Sequence, residues 1–354
     1  MIFSLHPPLS QSSAFTTSPA SSKPATSFSL VRRRLLQSTA VTLGAPWLNT
    51  QAAEGIAEGR PITLVVSYPA GGGADLVARM IAPKLAAALG QNVVVDNKPG
   101  ASGQLAASLV ARAKPDGGTL LIDASSFAVN PSLFPKLPYD SDTAFTPLGI
   151  VALFPNVLVC TASFEAKSVK DVIRLAKAKP HQLAYASSGN GSAQHLAGVL
   201  FEQQAGVNLL HVPYKGGGPA MNDVMAGQVP LFFANVASSV GVIQSGKLRA
   251  LAVTSRRHAR SLPDIATMEE VGVPGYEVNE WNPILAPAGL PLAVKARLQA
   301  AIRTTLADAE VLGRIRALSG ELLPDNSDSA IAAYLQSQKA QWARLVRNRK
   351  ITVD

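Results

Sequence analysis

The sequence predicts an α/β protein with two lobes, each a mostly parallel sheet with flanking helices. Two observations lead to this prediction. Short apolar runs alternate with helix-length patterns from residue 61 onward, and the same alternation restarts after Cys160. With 354 residues, 47% of them hydrophobic and 16% charged, the chain is long and apolar enough to form two cores.

The first alternation predicts three strands separated by two helices. In chain order these are residues 62–66, 75–89, 93–95, 104–113 and 120–122. Strands that alternate with helices usually pair in parallel, because each helix carries the chain back to the same edge of the sheet. Pro83 lies within the first helical pattern, and we expect it to kink or split that helix because proline has no N–H to donate.

The second alternation opens at Ser168, a candidate N-cap residue. Strands are predicted at residues 183–186, 209–212, 231–234 and 248–253. Helices are predicted between and after them at residues 193–204, 220–226 and 240–244.

The C-terminal third predicts helices alone, at residues 292–307, 311–318 and 328–347. We place the crossings between lobes near residues 158–162 and 277–283. Lobe 1 then comprises residues 61–159 and 281–354, and lobe 2 comprises residues 160–280.

Residues 1–53 have the layout of an export signal and leader. They contain no carboxylate, and the basic run Arg32-Arg33-Arg34 precedes a short apolar segment and small residues near Ala53. The arginines resemble a twin-arginine signal. An organellar transit peptide, or a start codon assigned too far upstream, would explain the long Ser/Thr-rich beginning as well. An export signal predicts a periplasmic protein from which the signal has been removed.

Charge and cysteine content exclude several classes of function. The formal charge is +9, and loss of the four basic residues in positions 1–52 leaves +5. No lysine- or arginine-rich block is interleaved with aromatic residues, so we expect no nucleic-acid partner. No run after the leader reaches the roughly 18 apolar residues that span a bilayer. The single Cys160 lies in an apolar run and predicts a buried small hydrophobe.

The stretch SYPAGGGAD, residues 67–75, connects a predicted strand to a predicted helix. Its glycines allow a sharp turn and leave the backbone amides uncovered. The helix that follows starts with unpaired N–H groups and a partial positive charge, which together favour an anion. A tight turn without a ligand is the alternative.

Five loops leave the carboxyl ends of predicted strands, where ligands bind in open parallel sheets. They are residues 68–75, 124–130, 187–192, 213–219 and 235–239. They offer amides, hydroxyls and one cation, a chemistry that suits a small carboxylate. The candidate ligand-binding residues are Tyr68, Gly72, Gly73, Asp75, Ser125, Ser126, Ser188, Gly189, Asn190, Ser192, His195, Lys215 and Asn235.

Several candidates have a structural alternative. Asp75 is better suited to the first turn of a helix than to a ligand contact, and Ser192 to a helix cap. Asp96 and Asp123 end strands and could act as catalytic carboxylates, although no nucleotide-binding or nucleophile-elbow motif accompanies them. The histidines show no metal-ligand spacing. We therefore predict no catalytic residue, no metal and no cofactor.

From residue 61 to its end, the chain resembles the periplasmic solute receptors of tripartite tricarboxylate transporters, the Bug receptors. The matching motifs are YPAGGGAD at 68–75, DNKPGASG at 96–103, VPYKG at 212–216, GKLRALAVT at 246–254 and Trp281. The resemblance implies a type II periplasmic-binding-protein fold whose lobes close over a small carboxylate. Two positions depart from the usual pattern, the segment 124–130 and Asn282-Pro283 after Trp281.

The resemblance implies a monomeric receptor that works without catalysis. Its implied partners are a small organic anion and, transiently, the subunits of a membrane transporter. A carboxylate or an acidic amino acid is the expected ligand. A ligand-sensing receptor for a membrane signalling partner is one alternative. An enzyme on the same scaffold is the other.

Overall fold

A computed structural model describes residues 56–352 of the chain. The leader predicted at residues 1–53 lies outside the described residues. The first part contains β1 (Ile62–Val66), α1 (Gly73–Leu89), β2 (Val93–Asn97), α2 (Gln104–Ala111), β3 (Thr119–Ile122) and α3 (Ser126–Leu133), with short 3-10 turns at Ile56–Gly59 and Ala101–Gly103. All five elements predicted here are confirmed, and α3 is additional.

The second part begins with the long strand β4 (Phe145–Thr161). It continues with α4 (Val169–Ala178), β5 (Ala184–Ser187), α5 (Ala193–Ala205), β6 (Leu210–Pro213), α6 (Gly217–Met225), β7 (Leu231–Asn235), α7 (Val236–Gln244) and β8 (Leu248–Val253). The last elements are β9 (Asn279–Pro287), α8 (Leu292–Ala307), α9 (Ala309–Ala317) and α10 (Asp328–Arg349). Ser168 caps α4 as predicted, because its side chain accepts a hydrogen bond from the Asp171 N–H.

The described strands pair in the order β2-β1-β3-β9-β4-β7-β5-β6, with β8 also beside β4. We call β1, β2, β3, β9 and the start of β4 the first sheet half; the end of β4 with β5 to β8 is the second sheet half. Pairs β1–β2, β1–β3, β5–β6 and β5–β7 are parallel, whereas β4 and β9 pair antiparallel with their neighbours. Helices flank this curled sheet, and the predicted α/β class is confirmed.

Strand β4 connects the two sheet halves. It pairs with β9 between Phe145 and Pro155, and with β7 and β8 between Asn156 and Thr161. Most of its residues are buried, as expected of a strand at the centre of a sheet. The lobe bounds drawn from the sequence, 61–159 with 281–354 and 160–280, stay a prediction.

Helix α1 runs without interruption from Gly73 to Leu89, so a split at Pro83 is wrong, whereas the kink predicted as the alternative stays a prediction. Pro83 lies on the exposed side of the helix, where water can reach the carbonyl that its missing N–H leaves unpaired. The helix ends at Gly90, whose left-handed backbone lets its N–H donate to the last turn. None of the helices between residues 56 and 352 is long and apolar enough to cross a bilayer.

The packing of α5 on β5 gives a test of the fold. A Cβ atom on Gly198 would lie 2.2 Å from the Tyr185 ring, which is fully buried. We expect Gly198→Ala to lower the free energy of unfolding by about 1–3 kcal/mol, because the ring has no space to retreat into.

Gly313→Ala is the matched control, since that glycine lies in α9, where an added Cβ would meet no other described part of the chain within 4 Å. It should raise the free energy of unfolding by up to about 1 kcal/mol, through helix propensity. Urea denaturation followed by circular dichroism measures both, and equal stability of Gly198→Ala and the parent would contradict this packing.

Candidate functional site

Loops from the two sheet halves converge around two adjoining cavities. The inner cavity measures about 30 Å³ and the outer cavity about 610 Å³. The inner cavity is lined by Tyr68, Gly72, Gly73, Ala74, Ala124, Ser188, Gln194, Gly217, Phe232, Asn235, Ser238 and Glu280. The outer cavity is lined by Ser67, Tyr68, Pro69, Pro99, Gly100, Ala101, Ser102, Gly103, Phe134, Ser188, Gly189, Asn190, Tyr214 and Lys215. All five loops predicted from the sequence contribute to these walls.

The N-terminus of α1 forms one wall of the inner cavity. Gly71 has a φ of +79°, which lets the chain turn from β1 into the helix. Gly73 approaches Asn235 so closely that an added Cβ would lie 3.2 Å from the Asn235 side-chain carbon Cγ. The first amides of the helix have no acceptor within the helix, so this wall presents hydrogen-bond donors to the cavity.

Asn235 adds a second donor to the same wall. Its Oδ1 accepts a hydrogen bond from the Ala237 N–H at 2.9 Å and caps α7, but its Nδ2 has no hydrogen-bond partner among the described residues. The residue is 5% exposed. A buried donor without an acceptor costs free energy, so this nitrogen is well placed to bind an acceptor on a ligand.

Asp75 does not line either cavity. Its carboxylate accepts hydrogen bonds from the Gly71 N–H at 2.9 Å, from Arg79 at 2.9 Å and from Asn97 at 3.0 Å. Burial acts to raise the pKa of Asp75, but the bonds from Arg79, Gly71 and Asn97 outweigh it and lower that pKa. The contacts of Asp75 hold the glycine turn in place.

Two buried acids lie at the ends of β3 and β9. Asp123 is fully buried, accepts hydrogen bonds from Ser67 and from the Ala124 N–H, and leaves its Oδ2 without a partner among the described residues. Burial raises the pKa of Asp123 to about 7, and the nearby Glu280 charge adds to the rise. Asp123 is therefore partly protonated near neutral pH.

Glu280 is 6% exposed and lines the inner cavity. Its Oε1 accepts hydrogen bonds from the Ser125 N–H at 3.1 Å and Ser125 Oγ at 3.3 Å, and its Oε2 accepts one from Gln194 at 3.2 Å. Burial raises the pKa of Glu280, and the bonds from Ser125 and Gln194 oppose that rise. The inner cavity thus has an acidic wall in addition to its amide donors.

His195 lies behind the loop at 187–192 and lines neither cavity. Its ring stacks on that of His211 at 3.9 Å, and its Nδ1 accepts a hydrogen bond from the Gly191 N–H at 3.0 Å. Burial, with a contribution from His211, lowers the pKa of His195 to about 3, and burial lowers that of His211 to about 4. Both rings are neutral at neutral pH, and the pair supports the loop.

The loops of the two sheet halves touch at the rim of the cavities. Ser102 Oγ donates to the Asn190 carbonyl at 2.5 Å. An added Cβ on Gly216 would lie 2.8 Å from the Pro69 ring, so only a glycine fits there. Ser102 itself has a φ of +54°, a strained value of the kind that concentrates at functional sites.

The predicted binding residues separate into two groups. Tyr68, Gly72, Gly73, Ser188 and Asn235 line the inner cavity, and Gly189, Asn190 and Lys215 line the outer one. The remainder lie behind the walls, where they hold other groups; these are Asp75, Ser125, Ser126, Ser192 and His195. Whether the lining residues contact a ligand stays a prediction.

The supporting residues have clear local roles. Ser192 caps α5 as predicted, because its Oγ accepts the His195 N–H at 3.2 Å. Ser126 Oγ accepts a hydrogen bond from the Tyr68 hydroxyl at 3.0 Å, and burial raises the pKa of Tyr68 well above its usual range. The segment predicted as a loop at 124–130 is largely helix α3, whose apolar residues are buried.

Sequence reasoning missed Gln194, Glu280 and the turn at 99–103. The Pro-Gly and Ser-Gly steps in that turn are loop signals after β2 and could have been used. No local sequence pattern marked Glu280 as a site residue, because residues 277–283 were predicted as a crossing between the lobes. Among the described residues no group of three potential metal ligands occurs.

Comparisons with known proteins agree with this geometry. A profile described as tripartite tricarboxylate transporter family receptor matches residues 77–351. The chain belongs to this receptor family. A protein from the tcbD-tcbE intergenic region of Pseudomonas sp. (strain P51) is 36% identical over 316 residues, 89% of this chain and 94% of the relative.

Solved structures of such receptors share the fold. The periplasmic binding protein BugD is 37% identical with a TM-score of 0.79, over 83% of this chain and 98% of that one. Rpa4515 of R. palustris with adipate is 34% identical with a TM-score of 0.79, over 83% and 98%. MatC of Rhodopseudomonas palustris with bound malate is 31% identical with a TM-score of 0.77, over 81% and 99%. These matches support the type II periplasmic-binding-protein fold.

The pKa of Asp123 gives a test of the buried acids. A carboxyl whose pKa rises from 3.8 to about 7 on folding stabilises the fold fully below pH 3.8 and loses that contribution as the pH rises through 7. We expect Asp123→Asn to remove this pH-dependent loss in the free energy of unfolding, which is at most about 4 kcal/mol. The variant should therefore gain stability relative to the parent at pH 8 and much less at pH 4.

Asp96→Asn is the control, because Asp96 lies partly exposed in β2 beside Lys98. Chemical denaturation at pH 4, 6 and 8 gives the three stability profiles. His195 and His211 make the same contribution to the pH dependence of stability in the parent and in both variants. Parallel profiles for Asp123→Asn and the parent would contradict a raised pKa for Asp123.

Proposed function

We propose that this protein is an extracytoplasmic receptor that binds a small organic carboxylate between two lobes and delivers it to a membrane transporter. The observation that supports this most is the donor wall of the inner cavity. There the amides of α1 and the Asn235 Nδ2, which has no hydrogen-bond partner within residues 56–352, line the same space. A carboxylate would accept hydrogen bonds from both.

Residues of both sheet halves form the donor wall, and this supports a motion that closes the two lobes over a ligand. Gly73 belongs to the first half and Asn235 to the second, and they approach within van der Waals distance. A ligand held by both would favour the closed arrangement over an open one, since only the closed arrangement offers both sets of contacts. Such a change of shape is what a transporter can recognise.

The relatives support the ligand class and the location. Rpa4515 and MatC are described with adipate and malate, and BugD is described as periplasmic. The export signal predicted at residues 1–53 would carry this chain to the same compartment. Binding without turnover agrees with the receptor family, and the buried acids of the cleft are held by hydrogen bonds from neighbouring side chains and amides.

A thermal-shift screen tests the ligand class. Mono-, di- and tricarboxylates of two to eight carbons, with and without amino groups, are added to the purified protein at neutral pH. A ligand at 100 times its dissociation constant stabilises the folded state by about 2.7 kcal/mol, which should raise the melting temperature by several degrees. If no acid in the panel raises it, the proposed function is wrong.

Gly73→Val tests the donor wall. The valine side chain would fill the space between α1 and Asn235 and cover the first amides of the helix. We expect affinity for the ligand found in the screen to fall at least 30-fold, about 2 kcal/mol, while the variant stays folded.

Gly313→Val in α9 is the control and should bind as the parent does. Isothermal titration calorimetry measures affinity, and circular dichroism checks folding. Unchanged affinity in a folded Gly73→Val protein would show that the α1 terminus does not hold the ligand.

A further inference from the structure

The inner cavity has an acidic wall that the predicted anion site does not use. Glu280 lies in β9, is 6% exposed, and lines the same cavity as Gly73 and Asn235 of the donor wall. A receptor for a plain anion gains nothing from a carboxylate in its cavity, because like charges repel. Binding of a plain anion therefore does not account for Glu280.

Burial raises the pKa of Glu280, but the hydrogen bonds that it accepts favour its charged form. The Ser125 N–H donates to one carboxylate oxygen and the Gln194 Nε2–H donates to the other. A charged carboxylate accepts such bonds more strongly than a neutral acid does. Glu280 therefore presents acceptor lone pairs to the cavity.

No cation neutralises this charge within the described part of the chain. Glu280 forms no ion pair there, and Lys215 lines the outer cavity instead. The charge of Glu280 helps to raise the pKa of Asp123, a second buried acid. A buried carboxylate without a counter-charge is costly, and a cation that enters the cavity removes that cost. The strongest available partner for Glu280 is a positively charged group on the ligand.

The donor wall requires the other charge. Asn235 Nδ2 and the α1 amides need an acceptor, and the inner cavity that they line together with Glu280 is about 30 Å³. A cavity of that size accommodates only a few atoms, so the two complementary groups on the ligand must lie within a few bonds of each other. The remainder of the ligand would extend into the outer cavity, which is far larger.

We propose that Glu280 is the specificity-determining residue that selects ligands bearing an ammonium group close to their carboxylate, as in an amino acid. The carboxylate binds Asn235 and the α1 amides, and the ammonium binds Glu280. Gln194 and Ser125 position Glu280 for this contact. The assignment rests on the proposed function, and it narrows the ligand from carboxylates in general to zwitterions.

Matched ligand pairs test the assignment on the unmodified protein. The pairs are succinate and aspartate, glutarate and glutamate, and propionate and alanine, each differing by one amino group. Calorimetry at pH 7.5 should show at least tenfold tighter binding of the amino member in every pair that binds. Equal or tighter binding of the members without the amino group overturns the assignment.

Glu280→Gln tests the residue itself, because it keeps the shape and removes the charge. We expect the preference within a binding pair to fall to less than threefold, mainly through weaker binding of the amino member. Glu277→Gln is the control, since Glu277 lies nearby but is partly exposed and pairs with Arg256. It should keep the parent's preference, and a preference that survives in Glu280→Gln overturns the assignment.

The outcomes separate this assignment from the proposed function. Tight binding of succinate or glutarate without a preference for the amino member supports a carboxylate receptor and overturns the role of Glu280. Glutarate binding that strengthens as the pH falls in the parent but not in Glu280→Gln also overturns it, because Glu280 would then act as a proton donor. Binding of no acid in the panel contradicts the proposed function itself.

Discussion

The cleft depends on strand β4, which pairs with β9 in the first sheet half and with β7 and β8 in the second. Among the described strands it alone pairs in both halves. Its hydrogen bonds fix the position of Asn235, at the end of β7, relative to the first sheet half. The close approach of Gly73 to Asn235 is possible only with that alignment. The cavity walls are therefore set by backbone pairing, and the side chains refine them.

The buried polar groups of the inner cavity lower the stability of the folded protein. Within the part of the chain that the structure describes, the Asn235 amide nitrogen lacks a hydrogen-bond partner and Glu280 is buried without a counter-charge. Asp123 is a second buried acid. Each of these would be replaced by an apolar group if packing alone mattered. Their presence in one place is typical of a binding site, where the protein retains unsatisfied groups for a ligand to satisfy.

A layer of contacts behind the walls keeps the loops in position. Asp75 holds the glycine turn through Gly71, Arg79 and Asn97, and the neutral His195 ring holds Gly191. These residues were chosen from the sequence as possible ligand contacts because polar residues in glycine loops suit either role. Local sequence does not show where a side chain points. Only the structure could show whether such a residue lines a cavity or holds a loop in place.

Local pattern alone determined the alternation of strands and helices, the caps at Ser168 and Ser192, and the glycine loop before α1, because these features depend on residues close in the chain. The tertiary structure decided β4 and β9, whose prolines interrupt the pattern of a strand and whose partners lie far away in sequence. It also decided the continuity of α1 through Pro83 and the place of Glu280 in the same cavity as the amides. Burial and long-range pairing determine these features, and no short window of sequence contains them.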